Sequence, residues 1–233
     1  TVNISQALTM GRAGSAHVND GTINVSGGNL TVNQSGTASF TNNGTVTVSP
    51  GQLWTISGNT FTTGGTLNGG GALTLSSVTS ANFNTPFTLS TLTVTSSTAN
   101  FASGVNLSAQ AMTLALSNST LNGPGTFTNA PGQTLTIRQS TIGATTALDN
   151  QGTLILNGTV TVNGPLTTAA STIIRLLPDG TTGQATLSSA LGFTNNGTIE
   201  LTSTFSTYAA TVTVAGSNTL TNAAGGTITS LVG

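Results

Sequence analysis

Charge is almost missing from this chain. Its 233 residues hold three basic side chains (Arg12, Arg138, Arg175), four acidic ones (Asp20, Asp149, Asp179, Glu200), one His and no Lys. Ordinary globular domains are about one quarter charged, whereas only 3% of these residues are. Three scattered Arg cannot displace counterions from a phosphate backbone, so no nucleic-acid partner is expected. Long apolar runs are missing too. The longest candidate, IIRLL at 173–177, is broken by Arg175, so no membrane-spanning helix is expected. A membrane β-barrel needs aromatic girdles, and the chain has one Trp and one Tyr. Cysteine is absent, which removes disulfides and fits export without requiring it. The first residues, TVNISQALTM, have neither a basic start nor an apolar stretch. No signal peptide is read there, and the expectation is a mature segment or a fragment of something longer.

Low charge with abundant Gly and Ser can signal disorder. Here 36% of residues are hydrophobic and alternate with Thr, which favours a packed core. The alternating runs are short: TINV, LTV, TVTV, STLTV, TLTI, TLILNGTVTV, TIEL. Each has strand length and a period of two, bounded by Gly, Asn, Ser or Pro. No stretch of helix length repeats at 3.6.

One heptad occurs almost twice, as FTNNGTV at 40–46 and FTNNGTI at 193–199. Weaker copies begin at Val18, Phe61, Phe83, Phe101, Phe127, Leu148, Leu166 and Leu220. The spacings average about 22 residues, in the range that marks solenoids, propellers and arrays. Propeller blades need about twice that length, and no leucine-rich frame is present. A coil holding two or three short strands remains. The expected fold is all-β, a single-stranded parallel β-helix (β-solenoid) of about ten coils of ~22 residues, roughly 50 Å long at ~4.8 Å per coil. It is read as one domain over residues 1–233. Inward positions are expected at Val46, Val48, Leu67, Leu73, Leu75, Leu92, Val94, Leu114, Leu135, Ile137, Leu154, Leu156, Ile199 and Leu201, with Phe40, Phe61, Phe127 and Phe193 stacked near one corner.

The heptads themselves are read as structural corners formed by Phe40, Asn42, Asn43, Gly44, Phe193, Asn195, Asn196 and Gly197. Asn–Gly pairs at 43–44, 157–158, 163–164 and 196–197 are expected to adopt the left-handed conformation of a sharp turn. Asn amides are expected to hydrogen-bond from coil to coil.

This ladder of apolar anchor, Thr, Asn, Gly, Thr and aliphatic residue resembles the β-solenoid stalks of large bacterial surface proteins. These are filamentous-haemagglutinin-like exoproteins and autotransporter passenger domains with β-strand repeats. The resemblance covers essentially the whole chain and is one of pattern and composition. It implies a secreted or cell-surface rod used in adhesion, aggregation or an extracellular layer. The sequence departs from these proteins in lacking a recognisable secretion domain and an N-terminal cap.

Chemistry is sparse. Glycoside hydrolysis needs two carboxylates facing one groove, and lyases need a base with Ca²⁺-binding acids. Asp20 and Asp149 are placed at corners, Glu200 on a strand and Asp179 in the loop PDGTTG, with Asp149 and Glu200 about two coils apart. His17, near Asp20, is read as a surface residue. The chain is therefore expected to be no enzyme and to use no cofactor or metal. Ice binding is the alternative, through outward Thr-x-Thr pairs at 45–47, 91–93, 134–136, 159–161, 211–213 and 227–229. Counted from their anchors, these pairs share no single register. Neither terminal stretch carries Lys or Pro guarding a strand edge. The expected partners are therefore self-association or continuation of the solenoid at its ends, and a surface receptor or glycan. Nine Asn-x-Ser/Thr sequons, at Asn3, Asn24, Asn29, Asn33, Asn43, Asn106, Asn118, Asn157 and Asn196, follow from composition and matter only where a glycosylation system acts.

Overall fold

A Thr–aliphatic pair laid out as a strand sends the aliphatic chain to one face and the Thr to the other. The computed structural model describes residues 1–103, 112–203 and 207–231, and its regular elements are strands of two to five residues with no helix among the described residues. They stack in parallel as a β-solenoid of about 10 turns, roughly 21 residues apart. The anchor segment FASGVNL continues past residue 103 and so lies partly outside the described residues, as do the sequon at Asn106 and the terminal Val232. The described residues divide into two compact units, 1–103 with 112–115 and 116–203 with 207–231.

Three sheets wrap the first unit. One holds Val2–Ile4, Thr22–Val25, Thr45–Val48 and Thr66–Asn68. The second includes Leu8–Met10, Leu30–Asn33, Leu53–Ser57, Ala72–Ser76 and Thr91–Thr95. The third includes Ala16–Asn19, Ser39–Asn42, Thr60–Thr63, Ser80–Phe83 and Thr98–Phe101. Inward columns run through successive coils, as in Leu30–Trp54–Leu73–Leu92 and Val32–Ile56–Leu75–Val94. All eight of these side chains are fully buried. Trp54 meets Phe40 and Phe61 edge-on, both at 5.4 Å, and the ring contacts continue through Phe83 to Phe87 and Phe101.

The second unit follows the same logic. One sheet includes Thr134–Arg138, Thr153–Asn157, Ile173–Leu176, Thr198–Leu201 and Thr227–Ser230. Another includes Thr120–Asn122, Thr141–Ile142, Thr159–Val162, Ala185–Ser189 and Ala210–Val214. The third side carries Gly125–Asn129, Thr146–Asn150 and Leu166–Thr168, then Phe193–Asn195 with Leu220–Asn222.

Thirteen of the fourteen expected inward residues are buried, and so are Phe40, Phe61, Phe127 and Phe193. Leu201 is only half-buried, and its neighbour in the next coil is the small Ser230. The anchor ladder needs three corrections. Val18 is 58% exposed, and His17 rather than Val18 is in register with Phe40. Phe83 lies opposite Thr63, because Ala81 pairs with Phe61. Phe40 and Phe61 are neighbours, whereas Phe127 and Phe193 belong to the second unit and stack on Leu148 and Leu220.

The corner conformation is corrected as well. Of the four Asn–Gly glycines only Gly158 has a positive φ, 65°. Other left-handed residues include Gly58, Asn59, Ser77 and Ser96 between the second and third sheets of the first unit, Asn118 and Gln139 after Ser117 and Arg138, and Ser171. Gly44 and Gly197 are needed for a different reason. A Cβ on Gly44 would overlap the Gly21 carbonyl oxygen, and one on Gly197 would overlap that of Thr172. They let one coil's backbone lie directly on the next.

Candidate functional site: amide corners and hydroxyl faces

Inside each heptad corner the first Asn turns inward and the second outward. Asn42 is fully buried. It accepts from Asn19 Nδ2 at 2.8 Å and donates to Thr63 Oγ1 and the Thr66 carbonyl, both at 3.1 Å. Asn43 is exposed and donates to Asp20 Oδ1 at 2.9 Å, while the amides of Asn43 and Gly44 both donate to the Asn19 carbonyl. In the second unit, buried Asn195 donates to Asn222 Oδ1 at 2.8 Å and to the Thr227 carbonyl at 3.1 Å. The Asn196 amide side chain donates to the Thr168 carbonyl, and Gly197 passes over Thr172. Phe40 and Phe193 open these strands with their rings in the core.

Sequence reasoning missed the other members of this amide ladder. Asn129 donates to Asn150 Oδ1 at 2.7 Å and to the Thr153 carbonyl, and Asn150 donates to the Ile173 carbonyl. In every link the amide nitrogen points to the higher-numbered coil. The signal was present in the Asn that ends each anchor strand, in HVN, FTN, LDN and LTN. Also unread was a buried serine series: Ser97 accepts from the Val78 amide, and Ser140 accepts from the Ser119 amide. The hydroxyls of Ser97, Ser119 and Ser140 each donate to the carbonyl two residues back.

Outward positions form columns. Thr9, Thr31, Thr55, Thr74 and Thr93 are in one register on the first unit's second sheet. In the second unit, Thr159–Thr186–Thr211 lies beside Thr161–Ser188–Thr213. The pairs at 159–161 and 211–213 therefore do share a register, which counting from anchors concealed because coil lengths differ. The pair at 134–136 leads to Ile155, Arg175 and Glu200 instead.

Each carboxylate has local partners. Asp149 lies on the strand Thr146–Asn150, not at a corner, and accepts from Gln151 and Thr167. Glu200 pairs with Arg175, its neighbour in the preceding coil, on a different sheet from Asp149. Asp179 meets Arg138 at 3.0 Å. Burial pushes its pKa up, but donation from the Thr182 amide and hydroxyl, the Thr181 amide and the Arg138 charge outweighs this and holds it below 3.8. His17 is half-buried on a strand and faces a cavity with Phe40, so it is not a plain surface residue. The sequon at Asn157 is buried, with its amide donating to the Leu177 carbonyl. Among the described residues, no group of three or more His, Asp or Glu is placed to hold a metal ion, and no helix is long and apolar enough to cross a membrane.

Comparison of the chain with protein-family models, curated proteins and solved structures returned no match.

Proposed function

We propose that the chain is a non-enzymatic structural or adhesive segment displayed outside a bacterial cell. The carrying observation is the column Thr9, Thr31, Thr55, Thr74 and Thr93. It offers one hydroxyl per coil at the ~4.8 Å strand spacing, held on a parallel sheet with a close-packed core. Weak hydrogen bonds repeated at a fixed spacing act as multivalent contacts, so a repeating surface glycan is held without a deep pocket. The carboxylates support the same reading, since Asp20, Asp149, Asp179 and Glu200 all serve as hydrogen-bond or ion-pair partners within the wall. The test is retention of labelled chain on bacterial cells and immobilised glycans. Replacing Thr31, Thr55 and Thr74 together by Val keeps the β-branched shape and removes the hydroxyls, and retention should fall about tenfold or more through lost multivalency. Polysaccharide breakdown abolished by Asp149→Asn or Glu200→Gln would overturn the reading.

Ice binding is a second reading, favoured by the paired columns Thr159–Thr186–Thr211 and Thr161–Ser188–Thr213. It requires thermal hysteresis that drops in Thr186→Tyr. A solution that freezes without hysteresis ends it.

A further inference from the structure

We infer that the second sheet of the first unit is the docking face for a neutral, extended, β-linked polysaccharide lying along its threonine column. The inference deepens the adhesive reading and rests on it. The outward faces of the other two sheets are partly knitted by their own side chains. On the first sheet Asn24 donates to Asn3 Oδ1 and Thr47 donates to Asn68 Oδ1, both at 2.8 Å. On the third, Asn82 donates to Thr62 Oγ1 at 3.3 Å, and Asn100 donates to Asn82 Oδ1 and Ser80 Oγ, both at 3.0 Å. The second sheet differs. Its outward hydroxyls stand in register from coil to coil, Thr31, Thr55, Thr74 and Thr93 in one column and Ser57, Ser76 and Thr95 in the next. All are half-buried, and none of these hydroxyls bonds to a described residue. At the margin of this face Asn29 Oδ1 accepts from the Leu53 amide at 2.9 Å. The hydroxyl columns are left for something outside the chain.

Each Thr is β-branched and holds its hydroxyl and methyl in a fixed direction, and the rungs follow one another at ~4.8 Å. A ligand that uses several rungs must be straight and must present hydroxyls at that interval. A β-1,4-linked hexose chain meets both conditions. Each ring advances by roughly one strand spacing of ~4.8 Å, with equatorial hydroxyls along the edges and C–H groups on the faces. An α-1,4-linked chain of the same composition coils and leaves the column within a few rungs. Stiffness helps as well, since a preorganised chain loses little conformational freedom on docking. Leu53 and Ala72, stacked and half-buried on the other side of the Thr column, supply an apolar strip for the C–H faces. Charge separates neutral from anionic polymers. Residues 21–137 contain no Asp, Glu, Lys, Arg or His, so a uronate or sulfated chain finds no cation among them.

The test is calorimetric titration of the chain with cello-oligosaccharides and malto-oligosaccharides of about two to six glucose units, which differ only in linkage geometry. Affinity for the cello series should rise severalfold with each added unit until the sugar outruns the column. The malto series should bind at least about tenfold more weakly. Replacing Thr31, Thr55 and Thr74 together by Val keeps the β-branched shape and should abolish the length dependence, with circular dichroism as the folding control. Thr47→Val, on the first sheet, should leave the titration unchanged. Equal binding of the two series, an affinity independent of length, or a loss in Thr47→Val equal to that in the triple variant overturns the inference. So does a chain that cells and other glycans retain through Thr31, Thr55 and Thr74 while cello-oligosaccharides do not bind, and the adhesive reading then stands. If neither cells nor any glycan retains the chain, both fall.

Discussion

Gly44 and Asn42 stand two residues apart and constrain the corner in opposite ways. Gly44 is selected by what it lacks, since any Cβ would strike the Gly21 carbonyl. Gly44→Ala should cost about 1–3 kcal/mol through forced backbone displacement. Gly64 is the control, with open space around its Cβ position and no positive φ, so Gly64→Ala should be neutral or stabilising by about 0.4–1 kcal/mol. Urea unfolding of the two variants checks both signs. Asn42 is selected by what it supplies. Asn42→Ala takes one of the two acceptors from the buried Asn19 amide and removes a donor from the Thr66 carbonyl, a loss of about 1–3 kcal/mol. Asp179 adds a pH signature. Its folded pKa is depressed below 3.8, so its charge contributes stability above that value, and the contribution disappears as pH falls through the folded pKa. Asp179→Asn should therefore melt below the parent at neutral pH, and the gap should close in acid below pH 3.8.

At the scale of strands and sheets, the ring contacts from Phe40 to Phe101 form one continuous series in the first unit. Trp54 touches both Phe40 and Phe61 and is fully buried. Trp54→Ala should lose about 3–5 kcal/mol, read from the urea midpoint at unchanged slope. Strands such as Thr45–Val48 and Thr134–Arg138 were legible in the sequence because a period of two needs only local information. The corners were legible by place but not by conformation. Asn43–Gly44 and Asn157–Gly158 look alike, yet only Gly158 is left-handed, because the difference is set by the coil stacked against each one. Ser77, Ser96 and Gln139 carry positive φ with no Gly to announce it. Of the five-Thr column only Thr93 lies in a Thr-x-Thr motif, because Ala7, Asn29, Leu53 and Ala72 stand two residues before the other four. Its register depends on pairing across coils of unequal length.

For the molecule as a whole, the shortage of charge has a thermodynamic counterpart. Stability that rests on buried aliphatic columns and neutral amide ladders should barely respond to screening, so the urea midpoint should move little between about 10 mM and 1 M salt. Strand partners are one coil apart in sequence, which keeps loop closure short and lets structure spread from coil to coil. The one-way amide ladder has a genetic consequence. Asn42 both receives such a bond and passes it on, from Asn19 23 residues before it and to Thr63 21 residues after it. A coil that ends on Asn can therefore stand more than once between Asn19 and Thr63: a tandem in-frame duplication of the codons for residues 20–42 sets one Asn42 on a second, which still donates to Thr63. A chain carrying that duplication should give the same circular dichroism spectrum per residue and melt no lower than the parent. In lineages that carry this gene, replication slippage should then alter coil number more readily than point mutation alters coil content.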